Sequence, residues 1–279
     1  MINYNMVKLN NGVEIPEFGL GVFRSEVGTE TSDAVRWALE AGYRHIDTAM
    51  MYRNEADVAR GIRESGVARR DIFITSKLAN QSIADRKFEE GVESSLAALD
   101  TDYIDLYLLH WPVTNFADAW RTLMKYYEQG VLRAIGVSNF QIRHLQKLEA
   151  EGLTLPAVNQ IELHPSFQER ELKAYCEERN IRVEAWSPLG GRDHLMVDRP
   201  EILKIAEKHG KTGAQVIIRW HLDTGNIVIP KSVKQQRILE NAQVFDFHRD
   251  AEDLAAIAAM DTNQRSYWSP DRWDEPEKK

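Results

Sequence analysis

Residues 103–112 read YIDLYLLHWP, and this short stretch shows the pattern that decides the fold. A mostly apolar segment of strand-like composition is followed at once by His110, and a proline then ends the strand. Residues 72–77, IFITSK, repeat the pattern with Lys77 at the end of the apolar segment. Buried strands that end in polar, reactive side chains are typical of the site-bearing end of an α/β barrel.

Strand candidates recur along the whole chain, with helical patterns between them. They begin near Pro16, Arg44, Ile72, Tyr103, Leu132, Ala157, Arg182 and Asn226. Most intervals are about 25 to 30 residues, the length of one strand and its crossover helix. Eight such units predict the α/β class and a closed (β/α)8 TIM barrel. The last interval is longer and holds an extra helix at residues 212–222.

The two ends of the chain fall outside the eight units. Residues 7–15 alternate in polarity around Asn11-Gly12, which predicts that residues 1–15 form a β-hairpin that plugs the N-terminal mouth of the barrel. The barrel itself is expected at residues 16–245, and residues 246–279 would add a helix and a C-terminal tail within the same domain. The tail from Asp261 onward holds three large aromatic residues, Tyr267, Trp268 and Trp273. Disordered segments rarely hold so many, so we expect part of the tail to fold over a substrate pocket.

Composition narrows the class of protein. The 279 residues carry 35 basic and 43 acidic side chains, a net charge of −8 that argues against non-specific binding to nucleic acid. The single cysteine, Cys176, can form no intrachain disulfide, which fits a reducing compartment. Residues 1–11 hold no apolar signal core, and no window reaches transmembrane length. We therefore expect a cytoplasmic protein without a membrane or nucleic-acid partner, and a compact acidic barrel of this kind is expected to be a monomer.

Four polar residues fall at the same end of their strand–helix units: Asp47, Tyr52, Lys77 and His110. Each alone has an ordinary explanation, as a loop carboxylate, a half-buried aromatic, a solvated lysine or a core histidine. Together they are better explained by function, because a barrel directs the ends of its strands toward one volume. The sequence therefore predicts a shared site at this end of the barrel.

The chemistry of these four residues points to an acid that protonates a carbonyl oxygen. A free tyrosine has a pKa of about 10 and is a poor acid near neutral pH. A close ammonium, from Lys77, would lower the pKa of Tyr52, and Asp47 would keep that lysine charged. His110 can orient a carbonyl oxygen or relay a proton. No cluster of His, Cys and carboxylates has the spacing of metal ligands, so we predict no metal.

The usual nucleotide-binding fingerprints are missing. Residues 19–24 read GLGVFR, so the Gly-x-Gly-x-x-Gly motif is absent, and no Walker sequence occurs. Lys231, Ser232 and Arg237 instead follow the last predicted strand, where barrels commonly hold a phosphate. A solvated basic loop explains the same residues equally well.

Other predicted strands also end in polar or aromatic residues, namely Ser138-Asn139, Gln160 and Trp186. Side-chain amides can pair with a carboxamide, and a flat indole can stack on a ring. Core packing or loop capping would explain any one of them.

Taken together, these stretches resemble the aldo-keto reductase family. The matching motifs are GYRHIDTA at 42–49 with Tyr52 and Asn54-Glu55, TSKL at 75–78, DLYLLHWP at 105–112, IGVSNF at 135–140, VNQIELHP at 158–165 and IPKSV at 229–233. They occur in the family's order and extend from about residue 5 to about residue 260. Within the family the chain looks most like the bacterial 2,5-diketo-D-gluconate reductase group.

The resemblance implies NADPH-dependent reduction of an aldehyde or ketone to the alcohol. Tyr52 would give the proton, Lys77 and Asp47 would adjust the acidity of Tyr52, and His110 would orient the substrate. NADPH would lie across the C-terminal face of the barrel on Ser138, Asn139, Gln160, Trp186, Ser187, Leu189, Gly190, Lys231, Ser232, Val233, Arg237, Glu240 and Asn241. Lys231 and Arg237 would bind the adenosine 2′-phosphate, which only NADPH carries, and would therefore favour NADPH over NADH.

The expected substrate is a small carbonyl compound, and the pocket is where the chain departs from the family. Its expected walls are Phe23, Met50, Met51, Ala79, Trp111, Tyr267 and Trp268. Ala79 stands where members often carry tryptophan, which would widen the pocket or leave the space to another group. Two other functions stay open at this point. One is an aldolase or isomerase with Lys77 as a Schiff-base lysine, and the other is an NADPH-binding redox sensor with little catalysis.

Overall fold

Parallel strands form a closed barrel in the computed structural model, which describes residues 2–191 and 194–273. The strands are β1 (Met6–Lys8), β2 (Glu14–Pro16), β3 (Leu20–Gly21), β4 (His45–Asp47), β5 (Phe73–Leu78), β6 (Leu106–Leu109), β7 (Ile135–Ser138), β8 (Val158–Glu162), β9 (Arg182–Trp186), β10 (Gly190–Gly191), β11 (His194–Leu195) and β12 (Ile227–Val228). The barrel strands begin within a few residues of the predicted positions.

Helices follow most of the barrel strands. They are α1 (Thr29–Ala41), α2 (Glu55–Ser65), α3 (Asn80–Ala84), α4 (Phe88–Leu99), α5 (Phe116–Glu128), α6 (Ile142–Ala150), α7 (Arg170–Glu178), α8 (Pro200–His209), α9 (Gly213–Asp223), α10 (Gln235–Asn241) and α11 (Ala251–Ala258). Their apolar faces point inward, as α4 shows by burying Phe88, Val92 and Leu99 at helical spacing. The helix predicted at 212–222 is α9.

The sheet closes on itself between its first and last strands. Its order is β12-β9-β8-β7-β6-β5-β4-β3, and all neighbours are parallel. Parallel bridges at Phe18–Val228 and Gly21–Lys231 join the two edges. At Gly21 a Cβ atom would lie 2.9 Å from the carbonyl oxygen of Ile229, so the close approach requires glycine. The predicted (β/α)8 barrel is confirmed.

The N-terminal hairpin lies across the mouth where the strands begin. β1 and β2 pair antiparallel, and Gly12 between them has a φ of 89°. Ile15 belongs to one buried apolar cluster with Phe73 and Leu106, which stand at the starts of β5 and β6. The side-chain amide of Asn11 donates to the carbonyl oxygen of Arg133 at 3.0 Å. The predicted plug is confirmed, and its second strand reaches Pro16, one residue beyond the expected boundary.

The C-terminal tail returns to the opposite end of the barrel. The backbone N–H of Ser266 donates to Oε1 of Glu162 at 2.6 Å, which fixes the tail at the end of β8. The ring of Tyr267 then meets the indole of Trp186 edge-on, with centroids 5.1 Å apart. The tail therefore folds over a cavity as predicted, although its final part, 274–279, lies outside the described residues.

Within residues 2–191 and 194–273, no helix combines the length and the apolar character that crossing a bilayer demands.

Candidate active site at the C-terminal end of the barrel

A cavity of about 630 Å³ opens at the C-terminal ends of the strands, beneath the tail. Most of the predicted site residues line it: Phe23, Asp47, Met51, Tyr52, His110, Trp111, Ser138, Asn139, Gln160, Trp186, Ser187, Leu189, Gly190, Lys231, Tyr267 and Trp268. Sequence reasoning misses the other residues of the lining: Gly21, Arg24, Pro188, Leu195 and Ile229. Arg24 and Ile229 follow the first and last barrel strands, so the strand-end rule that found the others would also have found them.

The remaining predicted residues lie outside this lining: Met50, Lys77, Ala79, Ser232, Val233, Arg237, Glu240 and Asn241. The structure does not bring Met50 to the cavity, because its sulfur lies 3.8 Å from Oγ of Ser82. Ala79 is buried just before α3 and also stays away from the cavity. Lys77 lies below the lining, where it contacts Tyr52 from beneath.

Lys77 connects the acidic and phenolic groups of the site. Its Nζ lies 2.8 Å from both carboxylate oxygens of Asp47 and 2.8 Å from the carbonyl oxygen of Thr48. It lies 3.4 Å from the hydroxyl oxygen of Tyr52. Lys77 is fully buried at the end of β5, so these contacts fix the ammonium under the phenol. His110 directly follows β6 and lines the same cavity, so the structure brings the four predicted residues together.

Tyr52 reaches the cavity because the chain after β4 makes a 3₁₀ turn at Met50–Tyr52. Arg53, with a φ of 59°, ends this turn. The Tyr52 ring lies between Phe23 and His110, with centroid distances of 4.9 and 5.6 Å. Successive side chains of a 3₁₀ turn point about 120° apart. Met51 and Tyr52 face the cavity, so the side chain of Met50 points away from it.

Burial governs the ionisation of this site. It raises the pKa of Tyr52 to about 12, and the nearby ammonium of Lys77 offsets only part of the rise. Lys77 lowers this pKa as predicted, but the burial of the phenol outweighs the ammonium, so the net shift of the pKa is upward. Burial also opposes the charge of Lys77, but the carboxylate of Asp47 and the other nearby acidic groups together raise the pKa of Lys77. The site thus holds a protonated phenol above a charged ammonium.

His110 enters the site as a neutral imidazole. Burial, with a smaller contribution from the Lys77 ammonium, lowers its pKa well below the usual value. In the described part of the chain its Nδ1 is buried and has no hydrogen-bond partner. The Asn139 amide donates to the backbone carbonyl oxygen of His110 at 3.1 Å and so ties β6 to β7.

Three neighbouring strand ends supply an amide- and indole-rich wall beside the phenol. Gln160 donates to Oδ2 of Asp47 at 2.8 Å, and Asn139 donates to Oγ of Ser138 at 3.0 Å. The indole N–H of Trp186 donates to the side-chain oxygen of Asn139 at 2.9 Å. A flat indole among amide groups fits the ring and carboxamide of a nicotinamide.

Cations flank the cavity on the side of the last barrel strand. Lys231 lines it three residues after the end of β12, and burial lowers its pKa. Arg24 lines the same side, and its guanidinium lies 5.1 Å from the centroid of Phe23 and 6.0 Å from that of Tyr267. Two cations beside an open cavity fit the phosphates of a dinucleotide.

The residues predicted for the adenosine end of the cofactor lie further along the chain. Ser232 is buried after β12, and its Oγ accepts a hydrogen bond from the backbone N–H of Lys234 at 3.2 Å. Arg237, Glu240 and Asn241 belong to α10. The carboxylate of Glu240 accepts a hydrogen bond from the Thr212 hydroxyl at 3.0 Å.

Comparison with known proteins gives consistent matches over nearly the whole chain. The model of the aldo/keto reductase family matches residues 19–262. Glyoxal reductase from Bacillus subtilis is 48% identical over 266 residues, which cover 95% of this chain and 96% of the relative. Methylglyoxal reductase DkgA from Escherichia coli is 43% identical over 276 residues, covering 98% and 99%.

Solved structures agree with these matches. An aldo/keto reductase from Brucella melitensis superposes with a TM-score of 0.89 at 46% identity, covering 93% of this chain and 100% of the other. An aldo-keto reductase from Bombyx mori, determined in complex with NADP, superposes with a TM-score of 0.91 at 34% identity and 99% coverage of both chains. The family resemblance seen in the motifs is confirmed: the chain belongs to the aldo/keto reductase family and is an oxidoreductase that uses NADPH.

Proposed function

We propose that the protein reduces an aldehyde or ketone to the alcohol, with Tyr52 as the proton donor. The observation that carries this proposal is the contact of the Tyr52 hydroxyl with Lys77, at 3.4 Å, in a site where Asp47 holds the lysine by two 2.8 Å contacts. An acid placed at the floor of an open cavity can reach a carbonyl oxygen that enters from above.

Each residue of the site then has a chemical task. Bound NADPH supplies the hydride that the carbonyl carbon receives. Tyr52 gives its hydroxyl proton to the carbonyl oxygen, and its raised pKa of about 12 ensures that the proton is present at neutral pH. The ammonium of Lys77 stabilises the phenolate that remains. The neutral His110 offers a hydrogen bond that orients the carbonyl oxygen.

The cofactor roles follow the chemistry of the cavity wall. Ser138, Asn139 and Gln160 would hold the carboxamide, and the Trp186 indole would stack on the nicotinamide ring. The pyrophosphate would lie along Ser187, Leu189 and Gly190. Lys231, Ser232, Val233 and Arg237 would hold the 2′-phosphate, with Glu240 and Asn241 near the adenine. Arg24, beside Lys231, adds a second cation on the phosphate side.

The cavity mouth favours carbonyl substrates that carry an apolar group. Four large apolar side chains at the mouth are exposed: Phe23, Met51, Leu195 and Trp268. Exposed apolar side chains gathered around one opening commonly mark a binding surface. The relatives named for glyoxal and methylglyoxal add small dicarbonyl compounds to the proposed range.

The Schiff-base alternative fits this geometry poorly. A Schiff-base lysine needs a free amine that a substrate can reach. Lys77 is fully buried, and it is held charged by Asp47 below the cavity lining. The redox-sensor alternative predicts tight binding of NADPH without turnover of any carbonyl, which the following experiment also tests.

The test is the variant Tyr52→Phe, which removes only the hydroxyl oxygen. Loss of a positioned general acid typically lowers kcat by about 10²- to 10⁴-fold, and we expect NADPH binding, followed by fluorescence, to stay nearly unchanged. The matched control is Tyr127→Phe, on the outer helix α5, which should keep full activity. Turnover is followed as NADPH consumption with aldehydes, keto esters and dicarbonyls. Wild-type-like turnover by Tyr52→Phe would contradict the assignment, and absence of turnover by the wild-type protein would favour the sensor.

A further inference from the structure

A second acidic side chain lies inside the barrel, one layer below the catalytic groups. Glu184 of β9 is fully buried, and its Oε1 lies 3.7 Å from Nε2 of His45 on β4. Since β4 and β9 are not neighbours in the sheet, the two side chains meet across the barrel interior. Nε2 of His45 also lies 3.0 Å from Oγ1 of Thr75, so three polar side chains, Glu184, His45 and Thr75, meet in this layer of the barrel interior.

The carboxyl group of Glu184 has no counter-charge of its own. Within residues 2–191 and 194–273, neither of its oxygens has a hydrogen bond of normal geometry, although the side-chain amide of Gln160 is near enough to lower its pKa slightly. His45 offers no charge, because burial and the Lys77 ammonium lower its pKa to about 3. The ammonium of Lys77 is already paired with Asp47 at 2.8 Å. An ionised carboxylate in such a place is costly, so the group favours its protonated form.

The groups around Glu184 determine the pH at which it loses that proton. Burial and the negative charge of Asp47 raise its pKa to about 8, against a smaller opposite effect of Lys77. The titratable groups that face it are His45 and Asp47 of β4, Tyr52 of the turn after β4 and Lys77 of β5. The strands paired with β9 place the uncharged Gln160 and Ile227 opposite it. His45, with a pKa of about 3, Tyr52, with a pKa of about 12, and Lys77, whose pKa is raised above its usual value, keep their charge states near pH 8. Burial also raises the pKa of Asp47, but Asp47 has the contacts with Lys77 and Gln160 that oppose this rise, whereas Glu184, with a pKa of about 8, has no such ion pair.

We propose that Glu184 is a positioning residue for the reaction: its proton keeps the interior below Tyr52 neutral, and loss of that proton hinders proton donation by Tyr52. The proposal rests on the proposed function. In that reaction the O–H bond of Tyr52 breaks, the proton bonds to the carbonyl oxygen, and the electron pair stays on the phenolate. An ionised Glu184 opposes this new negative charge and competes for the field of Lys77.

The test is the pH profile of a single turnover, measured as loss of NADPH absorbance after mixing with an excess of aldehyde. The wild-type rate should fall roughly tenfold between about pH 7 and about pH 9.5, because a close like charge shifts a pKa by about one unit or more. Glu184→Gln, which is isosteric and cannot ionise, should stay within about twofold over that range. Glu184→Asp keeps an acid and should keep the decline. A decline in Glu184→Gln equal to that of the wild type would overturn the proposal.

Thermal unfolding gives a second readout with a fixed sign. The pKa of Glu184 is about 8 in the folded protein, against about 4.3 for an unperturbed glutamate. The folded state therefore binds more protons between these values, and the stability contributed by Glu184 falls as pH rises through them. Glu184→Gln escapes this loss, so its advantage in Tm over the wild type should grow from about pH 5 to about pH 8. An advantage that does not change with pH would count against the proposal.

A third measurement needs no variant and covers the case in which Glu184→Gln fails to fold. Infrared difference spectra of the wild-type protein should show a protonated carboxylic acid at neutral pH that disappears above about pH 9. Spectra without such a band would overturn the proposal. Failure of the proposed function is recognised separately, as wild-type protein that reduces no carbonyl or as Tyr52→Phe that keeps full turnover.

Discussion

The interior of the barrel is filled by different kinds of side chain at its two mouths. At the N-terminal mouth, Ile15 of the hairpin shares a buried apolar cluster with Phe73 and Leu106, and charged residues such as Arg44 and Arg133 line the groove outside it. At the C-terminal mouth, the charged pair of Asp47 and Lys77 is buried under an open cavity. The same strands serve both ends, since β5 carries Phe73 at its start and Lys77 four residues later.

A single strand, β5, contributes a core side chain at its start and a catalytic side chain near its end. Residues four apart in a strand lie on the same face, about 13 Å from each other along the strand. Both Phe73 and Lys77 therefore point into the barrel, one toward the plug and the other toward the cavity. The apolar cluster of the hairpin fills the barrel at the first end, and the buried ion pair of Asp47 and Lys77 lies beside the cavity at the second. Substitutions at the two ends should separate stability from chemistry, and three predictions test this separation.

The largest effect is expected for Lys77→Met, which affects both properties. Breaking a buried ion pair leaves Asp47 unpaired and typically costs about 3 to 5 kcal/mol of folding free energy. The phenolate of Tyr52 also loses its stabilising ammonium, so kcat should fall by about 10²-fold or more. Urea denaturation and NADPH consumption measure the two losses on one preparation.

The double variant Lys77→Met with Asp47→Asn is the matched control for that experiment. It removes the orphaned carboxylate as well as the ammonium, so it should recover much of the lost stability while kcat stays low. If the double variant is no more stable than Lys77→Met, the unpaired charge is not the source of the destabilisation.

A smaller and purely structural effect is expected for Ile15→Ala at the closed mouth. Ile15 is fully buried in the hairpin cluster, and truncating such a side chain typically costs about 2 to 5 kcal/mol. The catalytic groups lie at the other end of the strands, so kcat at saturating substrate should change by less than about twofold. Urea midpoints and steady-state rates check both statements. A large fall in kcat without loss of folded protein would show that the two mouths are coupled.

Much of this separation can be predicted from the sequence, because it depends on periodicity and on strand ends. The apolar segments ending in Lys77 and His110 predict both the barrel and the side of the barrel that carries the site. The Asn11-Gly12 turn likewise predicts the plug at the opposite mouth. These signals are local, and the barrel converts them into a common volume.

The features that the sequence does not predict depend on how deeply a side chain is buried and on which way it points. The pKa of Tyr52 rises because burial outweighs the ammonium of Lys77, and the degree of burial is a property of the assembled site. Met50 misses the cavity because the 3₁₀ turn directs consecutive side chains to different sides. Leu195 reaches the mouth of the cavity from the short β10–β11 pair, and these strands are too short to show a periodic pattern in the sequence.

The smallest effect is expected at the rim of the open mouth, for Trp268→Ala. Trp268 lines the cavity but is 64% exposed, and the centroid of its ring lies 5.2 Å from the guanidinium carbon of Arg272. The indole can cover an apolar group of a bound substrate without touching the reacting atoms. Loss of one partly exposed aromatic contact, worth about 0.5 to 1.5 kcal/mol, should raise KM for benzaldehyde roughly two- to tenfold and leave kcat nearly unchanged.

Glyoxal is the substrate control, because it has no apolar group for the indole to cover, and its KM should change little. Leu203→Ala is the matched protein control, since Leu203 is also an exposed apolar residue but lies on α8 outside the cavity lining. An equal rise in KM for both substrates would mean that Trp268 shapes the whole cavity. A rise confined to benzaldehyde would place the selection of apolar substrates at the rim, apart from the buried charges that carry out the reaction and from the plug that stabilises the barrel.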